Sequence, residues 1–493
     1  MATTHILSKS TFMRGMQCEK SLWMYRHEFD KQDDRSPGLQ AIFDQGSDVG
    51  DLAHDLFPGG VDLSPEYVNG IPRFGGSIAR TRDAIRDGAP VLYEAAFVHE
   101  DVLAAVDLLV RDGARWRLIE VKSGTSISEA YAQDAALQHW VLRGAGLDLA
   151  DVSIAHIDTS YVRRGAVDVN KLFAFGSVLE LAMARLDDIG REVARLKEAL
   201  ARNGAPEVAI GPHCSAPYDC SFQGLCWEGF PEHSVFDVSY LGAKAWKLFD
   251  RGIKRAADIP DDFPLKRNQQ IEVRCARTGE PHVDRDAVRT FVKTTEGPLY
   301  FLDFETCSPA VPLYDGTRPY QAIPFQYSLH CRRARGAAIE HKAFLGDGRT
   351  DPRAALAEQL LEDTRAEGRI VMYSGYERRI LNELAEAFPE RAAELAERNE
   401  CLLDLSVPFR DHAYYTVEMD GKYSIKKVLP ALVPGLSYGD MEIAEGRDAG
   451  RAYASLHTET DLEKIAWIRK ALLDYCGLDT LAMVKLLEVL EGV

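Results

Sequence analysis

No stretch of this 493-residue chain approaches the roughly 20 consecutive apolar residues that span a bilayer. Its opening residues, MATTHILSKSTFMRG, lack the apolar core of a secretory signal. Both absences predict a cytoplasmic protein with no membrane partner. Cysteine is scarce, nine in all and unevenly spaced. In a reducing compartment that pattern argues against a disulfide framework and for metal ligands or buried thiols. Internal repeats and low-complexity tracts are also missing. Positive charge is in deficit, with 58 Lys and Arg against 76 Asp and Glu and a net charge of −18. Phosphate binding usually leaves a basic footprint, so this balance weighs against a nucleic-acid enzyme unless the acids gather on helix surfaces and metal sites. Lys426 and Lys427 are candidates for a local basic, nucleic-acid-binding groove.

What is present is enough apolar residue, 46% of the chain, for two or three domains. Residues 91–124, VLYEAAFVHEDVLAAVDLLVRDGARWRLIEVKSG, read as three short strands joined by polar turns. Asp107 interrupts an apolar strand, and the next strand ends in Glu120-Val121-Lys122. Side chains alternate along a strand, so Glu120 and Lys122 share a face. If the hairpin sets Asp107 opposite that face, two carboxylates and an ammonium meet, and burying them is costly unless a cation or substrate offsets the charge. A solvated hairpin with an i, i+2 ion pair is the alternative.

The arrangement resembles the PD-(D/E)xK nuclease core. That resemblance implies Asp107 and Glu120 as ligands of Mg²⁺ or Mn²⁺ and Lys122 as the group that positions the nucleophile. Gly46, Gly50 and His54 in the helical run 43–55 resemble the G-x-x-x-H element by which RecB-like nucleases bring a histidine to the metal. Gln138 and Trp140, in a predicted helix over 128–142 with Ser128 as N-cap, stand where those enzymes keep a glutamine-aromatic motif.

A helix is predicted over 8–29, with Ser8 or Ser10 as N-cap and Cys18 inside it, a strand over 152–162, and a long helix over 171–202. Cys214, Cys220 and Cys226 follow, each separated from the next by five residues. With Cys18 they make four thiolates, suited to zinc or an iron-sulfur cluster. The C-x₂₋₄-C pairs of structural zinc sites are absent, which favours iron and sulfide. RecB-like nucleases of the CRISPR-associated and AddAB types hold a [4Fe-4S] cluster with one early and three late cysteines, and this chain is similar in order and placement. Its gap between the first two late cysteines is longer than theirs, and His213 is a substitute ligand. Residues 239–258 predict two short helices around Gly252, as in helix-hairpin-helix elements or a plain spacer.

Residues 298–306, PLYFLDFET, form a predicted strand with Asp303 and Glu305 on one face, and Tyr475 and Asp479 stack four apart on a closing helix over 471–490. D-x-E on a first strand and Y-x-x-x-D on a last helix resemble the tyrosine branch of the DEDD exonucleases, with an RNase H-like fold and two divalent ions. The remaining carboxylate would be Glu377, in place of the family's aspartate; Asp404 is a poorer candidate. Ser374-Gly375-Tyr376-Glu377 also fits an S-x-x-E capping box, and a glutamate so occupied cannot freely bind metal.

Taken together, the chain is expected to be α/β, a PD-(D/E)xK restriction-endonuclease-like domain over 1–231, a helical linker over 232–297, and an RNase H-like domain over 298–493. It resembles a bacterial family of uncharacterised two-domain proteins. The expectation is a metal-dependent nuclease that processes DNA ends, with RNA as the other substrate, in repair, CRISPR-type adaptation or phage defence. A nucleic-acid-binding scaffold with degenerate centres is the rival.

Overall fold

Strands Val91–His99, Val102–Asp112 and Arg115–Lys122 form the expected antiparallel meander. The first reversal is the two-residue turn Glu100-Asp101, both with positive φ (44° and 55°), the geometry that matches the twist of paired strands. The second turns at Gly113, φ 60°. The structure is a computed structural model in which residues 6–34, 37–439, 441–443 and 445–493 are described, with the side chains of 37–44 excepted. The chain is mixed α/β and divides into two units, Met1–Glu228 with Pro309–Tyr320, and Gly229–Ser308 with Gln321–Val493. Among the described residues no helix is long and apolar enough to cross a membrane.

In the first unit the meander is the middle of a seven-stranded sheet. Strand Leu149–Ile157 runs parallel to Arg115–Lys122, and Phe173–Ser177 closes that edge. Helix Glu129–Gly144 starts where Ser128 accepts a bond from Tyr131 N at 3.2 Å. It buries Ala132, Ala135, Ala136, Leu137, Val141 and Leu142 in the main core, which holds its inward polar residues in fixed positions beside the sheet.

Three expected elements differ. The helix over 8–29 is two helices, Lys9–Gln17 and Glu19–His27, because Cys18 is extended (φ −161°, ψ 116°) and its thiol accepts from Ser21 N, capping the second. Ser8 does cap the first. The long helix over 171–202 is broken: a short helix Val169–Leu172, the edge strand Phe173–Ser177, then Leu179–Ala184 and Leu186–Leu200. Pairing with Leu149–Ile157 outweighs helical periodicity there. That partner strand also stops at Ile157 instead of running on to 162.

The second unit has a five-stranded sheet ordered Ile339–Leu345, Ile323–Arg332, Leu299–Cys307, Arg369–Met372, Leu402–Asp404. The first three are antiparallel and the last two join in parallel. Tyr300, Leu302 and Phe304 enter the core on one side of the central strand, which turns Asp303 and Glu305 to the other. Helix Leu462–Glu491 packs on that side against the strands Leu299–Cys307 and Ile323–Arg332. Residues 229–297 have a core of their own around Val235, Leu248, Ile259 and Val273. Only one helix, Ala243–Phe249, forms around Gly252; Ala256–Asp258 is a single 3₁₀ turn, too short for a second.

Candidate functional site

In the first unit the two tight turns set a register that lines up three carboxylates. Glu94 falls between the pairs Tyr93↔Leu108 and Ala95↔Val106, directly across from Asp107. Asp107 in turn is one position beyond the pair Leu108↔Ile119, across from Glu120. The ladder stops there, and Asp107 Oδ2 accepts from Val121 N at 2.6 Å. Glu94 has a left-handed backbone, φ 52°, a strained state for this residue.

Glu120 is 1% exposed and both its oxygens are engaged. Oε1 receives Lys122 Nζ at 2.5 Å and Lys9 Nζ at 2.6 Å, while Oε2 receives Gln138 Nε2 at 2.6 Å. Lys122 also meets Asp134 Oδ2 at 2.8 Å. Thus Asp107, Glu120, Lys122 and Gln138 converge, joined by Glu94, Lys9 and Asp134. Burial would raise the Glu120 pKa, but the two ammoniums outweigh it and hold the carboxyl well below its usual range. Burial and the neighbouring Glu120 push Asp107 up to about 6. Burial and Asp107 push Glu94 up to about 8. The site is rich in oxygen donors, and Gln138 Oε1, buried there, has no hydrogen-bond partner among the described residues. His54 is not drawn into this network: its ring stacks on Tyr93, centroids 4.1 Å apart. Trp140 packs against His99. Beside the site, Tyr320 donates to the carbonyl of Ser123, next to Lys122.

Cys18, Cys214, Cys220 and Cys226 line one cavity, with His213 on its wall. His213 Nε2 is 3.9 Å from Cys214 Sγ. Burial raises the Cys18 thiol, and Cys220 and Cys214 add to the rise. Among the described residues no three of these sulfurs lie within 4.8 Å of one another.

The second unit gathers four acids from three separated segments. Asp303 and Glu305 sit on the central strand, which bulges just after Glu305. Asp479 comes from the closing helix and Glu377 from the first turn of helix Tyr376–Ala387. Burial, then Asp479, Glu305 and Glu377, raise Asp303 well above the carboxylate range. Burial and Asp479 do the same to Glu305. Burial lifts Glu377 to about 8 and Asp479 to about 6. Glu377 is 2% exposed, and its Oε2 has no hydrogen-bond partner among the described residues. The capping box does not form: the N-cap is Gly375, without a side-chain bond, and Ser374 has φ 84°. Asp404 is spent on structure, accepting from Ser374 N, Ser406 N and Ser406 Oγ and pairing with Arg410.

Tyr475 is 3% exposed, and burial with Asp479 beside it keeps its hydroxyl protonated. Two further members stand outside the predicted set. Tyr438 donates to Asp479 Oδ1 at 2.6 Å, and Cys476 Sγ stands 3.6 Å from Asp303 Oδ2. Lys426 lies over the rings of Tyr438 and Tyr475, 5.4 and 5.2 Å from their centroids, and its charge lowers Glu305 and Asp479. Lys427 pairs instead with Asp420 at 3.1 Å.

The comparisons bear on the second site alone. A family model described as Domain of unknown function (DUF2779) matches residues 300–424, a span that includes Asp303, Glu305 and Glu377 and stops before Lys426, Tyr475 and Asp479. No curated protein matches the chain.

Proposed function

We propose that the chain is a metal-dependent nuclease in which the second unit, an RNase H-like DEDD exonuclease, trims DNA or RNA from the 3′ end. One observation carries the reading: Asp303, Glu305, Glu377 and Asp479, from three distant stretches of the chain, meet in a buried group whose mutual repulsion calls for cations. The donors are all hard oxygens apart from Cys476, as Mg²⁺ or Mn²⁺ requires. Bound there, divalent ions supply an activated water and neutralise charge developing on the phosphoryl oxygens. Tyr475, protonated and set one helical turn from Asp479, orients the attacking water. Lys426 beside it meets the substrate phosphate. Lys427, held by Asp420, extends that basic edge.

The first unit is read as a RecB-like PD-(D/E)xK domain, with Asp107 and Glu120 as metal ligands, Lys122 beside the nucleophile and Gln138 holding Glu120. His54 would have to turn from Tyr93 to join them. The four cysteines suit a [4Fe-4S] cluster better than zinc, since bonds of about 2.3 Å draw all four thiolates of a tetrahedral zinc site to about 3.8 Å from one another, whereas no three of these sulfurs lie within 4.8 Å of one another among the described residues. A second reading has support in the first unit alone: Glu120 already holds two ammoniums and an amide, as a nucleic-acid-binding scaffold without metal would.

Incubation of the full chain with end-labelled single- and double-stranded DNA and RNA, in Mg²⁺ or Mn²⁺ and then in chelator, tests the proposal. Metal-dependent shortening is expected, and the absence of cleavage of every substrate would leave the scaffold reading.

A further inference from the structure

Cys476 is an unexpected member of the acidic group in the second unit. It is fully buried, 0% exposed, and its Sγ lies 3.6 Å from Asp303 Oδ2 and 3.7 Å from the Asp303 carbonyl oxygen. One ligand atom each from Asp303, Glu305 and Cys476 falls within 4.8 Å of the others, the only such trio among the described residues. Glu377 supplies an independent sign of a ligand: it is 98% buried near Asp303, and its Oε2 is without a hydrogen-bond partner among the described residues. A tetrahedral ion with bonds of about 2.3 Å to sulfur and about 2.1 Å to oxygen sets those two donors about 3.6 Å apart. The observed separation already has that value.

We propose that Asp303, Glu305 and Cys476 form a site for one thiophilic divalent cation of the zinc, cobalt or cadmium kind, which the thiolate favours over magnesium at that position, beside the all-oxygen donors Glu377 and Asp479 that Mg²⁺ or Mn²⁺ takes. The inference rests on the reading of this centre as one that holds metal. Hard cations gain little from sulfur, whereas borderline and soft ones gain much. Binding exchanges the thiol proton for the cation, and the proton leaves to the buffer, so that occupancy rises with pH. The competing role for Cys476 is a plain hydrogen-bond donor to Asp303. Serine fills that role at least as well, so a donor-only thiol gives no metal preference.

The test is binding without substrate, on the full chain with its other cysteines in place. Equilibrium dialysis against Cd²⁺ should show one more tight ion in the wild type and in Cys331→Ser than in Cys476→Ser, where the affinity for that ion should fall at least about tenfold. Co²⁺ should give a sulfur-to-metal charge-transfer band that is weaker in Cys476→Ser by the contribution of one thiolate. The four-cysteine cavity is common to all three proteins, so the difference isolates this site. Wild-type crystals soaked in Cd²⁺ should show an anomalous peak bonded to Cys476 Sγ, which needs no variant to fold. Unchanged Cd²⁺ affinity in a folded Cys476→Ser protein, or a soaked crystal with no peak at Sγ, would overturn the proposal. Loss of Mg²⁺-dependent cleavage in the wild type would instead count against the nuclease reading and leave this site standing.

Discussion

Lys9 Nζ lies 2.6 Å from Glu120 Oε1, although 111 positions separate the two residues in the chain. With Lys122 on the same oxygen, the first centre carries its own counterions where a divalent cation would act. Lys9→Met should cost the metal-free protein about 1.5–3 kcal/mol, the worth of a hydrogen bond to a charged group, and should tighten Mn²⁺ binding at this centre. Urea unfolding in chelator and a Mn²⁺ titration measure the two effects. Equal Mn²⁺ affinity in both proteins would mean that Lys9 does not compete with metal.

Glu377 gives the sharpest test of the second centre, because the capping role is removed by the geometry at Gly375. Glu377→Gln retains the shape but is neutral and a poor ligand for a hard cation. Turnover should fall at least about 10- to 100-fold, with partial rescue by high Mn²⁺, while thermal stability in chelator stays the same or rises. Ser374→Gly, which relieves a positive φ of 84°, should leave turnover intact and stabilise by up to about 1 kcal/mol. Full activity in Glu377→Gln would reduce the centre to three carboxylates.

The raised carboxyls fix a pH dependence. Glu377 moves from 4.5 to about 8 and Asp479 from 3.8 to about 6. The folded state therefore holds protons that the unfolded chain has released, so this contribution to stability is complete below the unfolded values and lost as pH rises through the folded ones. Glu94 and Asp107 act in the same sense, and Glu120, held low, in the opposite one. In chelator the melting temperature should fall between about pH 5 and pH 8, and Mn²⁺ should restore more at the upper end, where binding displaces fewer protons. A melting temperature that climbs across that range in chelator would contradict the assignment.

The cysteine cavity makes a separate prediction. Protein purified without oxygen should be brown and contain iron and acid-labile sulfide. Cys18→Ala should lose the iron and loosen the fold, since Cys18 also caps helix Glu19–His27 and lines a cavity with residues some two hundred positions on. Cys331→Ala should do neither. Stoichiometric zinc without iron would refute the cluster.

Much of this was legible in the residues, for physical reasons that differ by place. The meander could be read because alternation and polar turns agree, and the D-x-E strand and Y-x-x-x-D helix because their spacing alone puts the carboxylates on one face. The break at Cys18 was hidden: no glycine or proline marks it, and the cap is a thiol. The strand Phe173–Ser177 was hidden by a helical period that continues on both sides. Glu94 could have been found, since two two-residue turns fix a register that sets it across from Asp107. Asp134, one turn before Gln138, and Cys476, three positions before Asp479, could have been found from helical spacing; Lys9 and Tyr438 could not, because each reaches its site only when a distant segment docks there.

The central claim is that the acids around Asp303 form a hydrolytic centre independent of Asp107. The direct measurement is digestion of a 5′-labelled single strand by the full chain, by Asp303→Asn and by Asp107→Asn, each in Mn²⁺ and in chelator. The account predicts a ladder of progressively shorter labelled products from the wild type and from Asp107→Asn, and none from Asp303→Asn or in chelator. Shortening that survives in Asp303→Asn, or that vanishes equally in both variants, would contradict it.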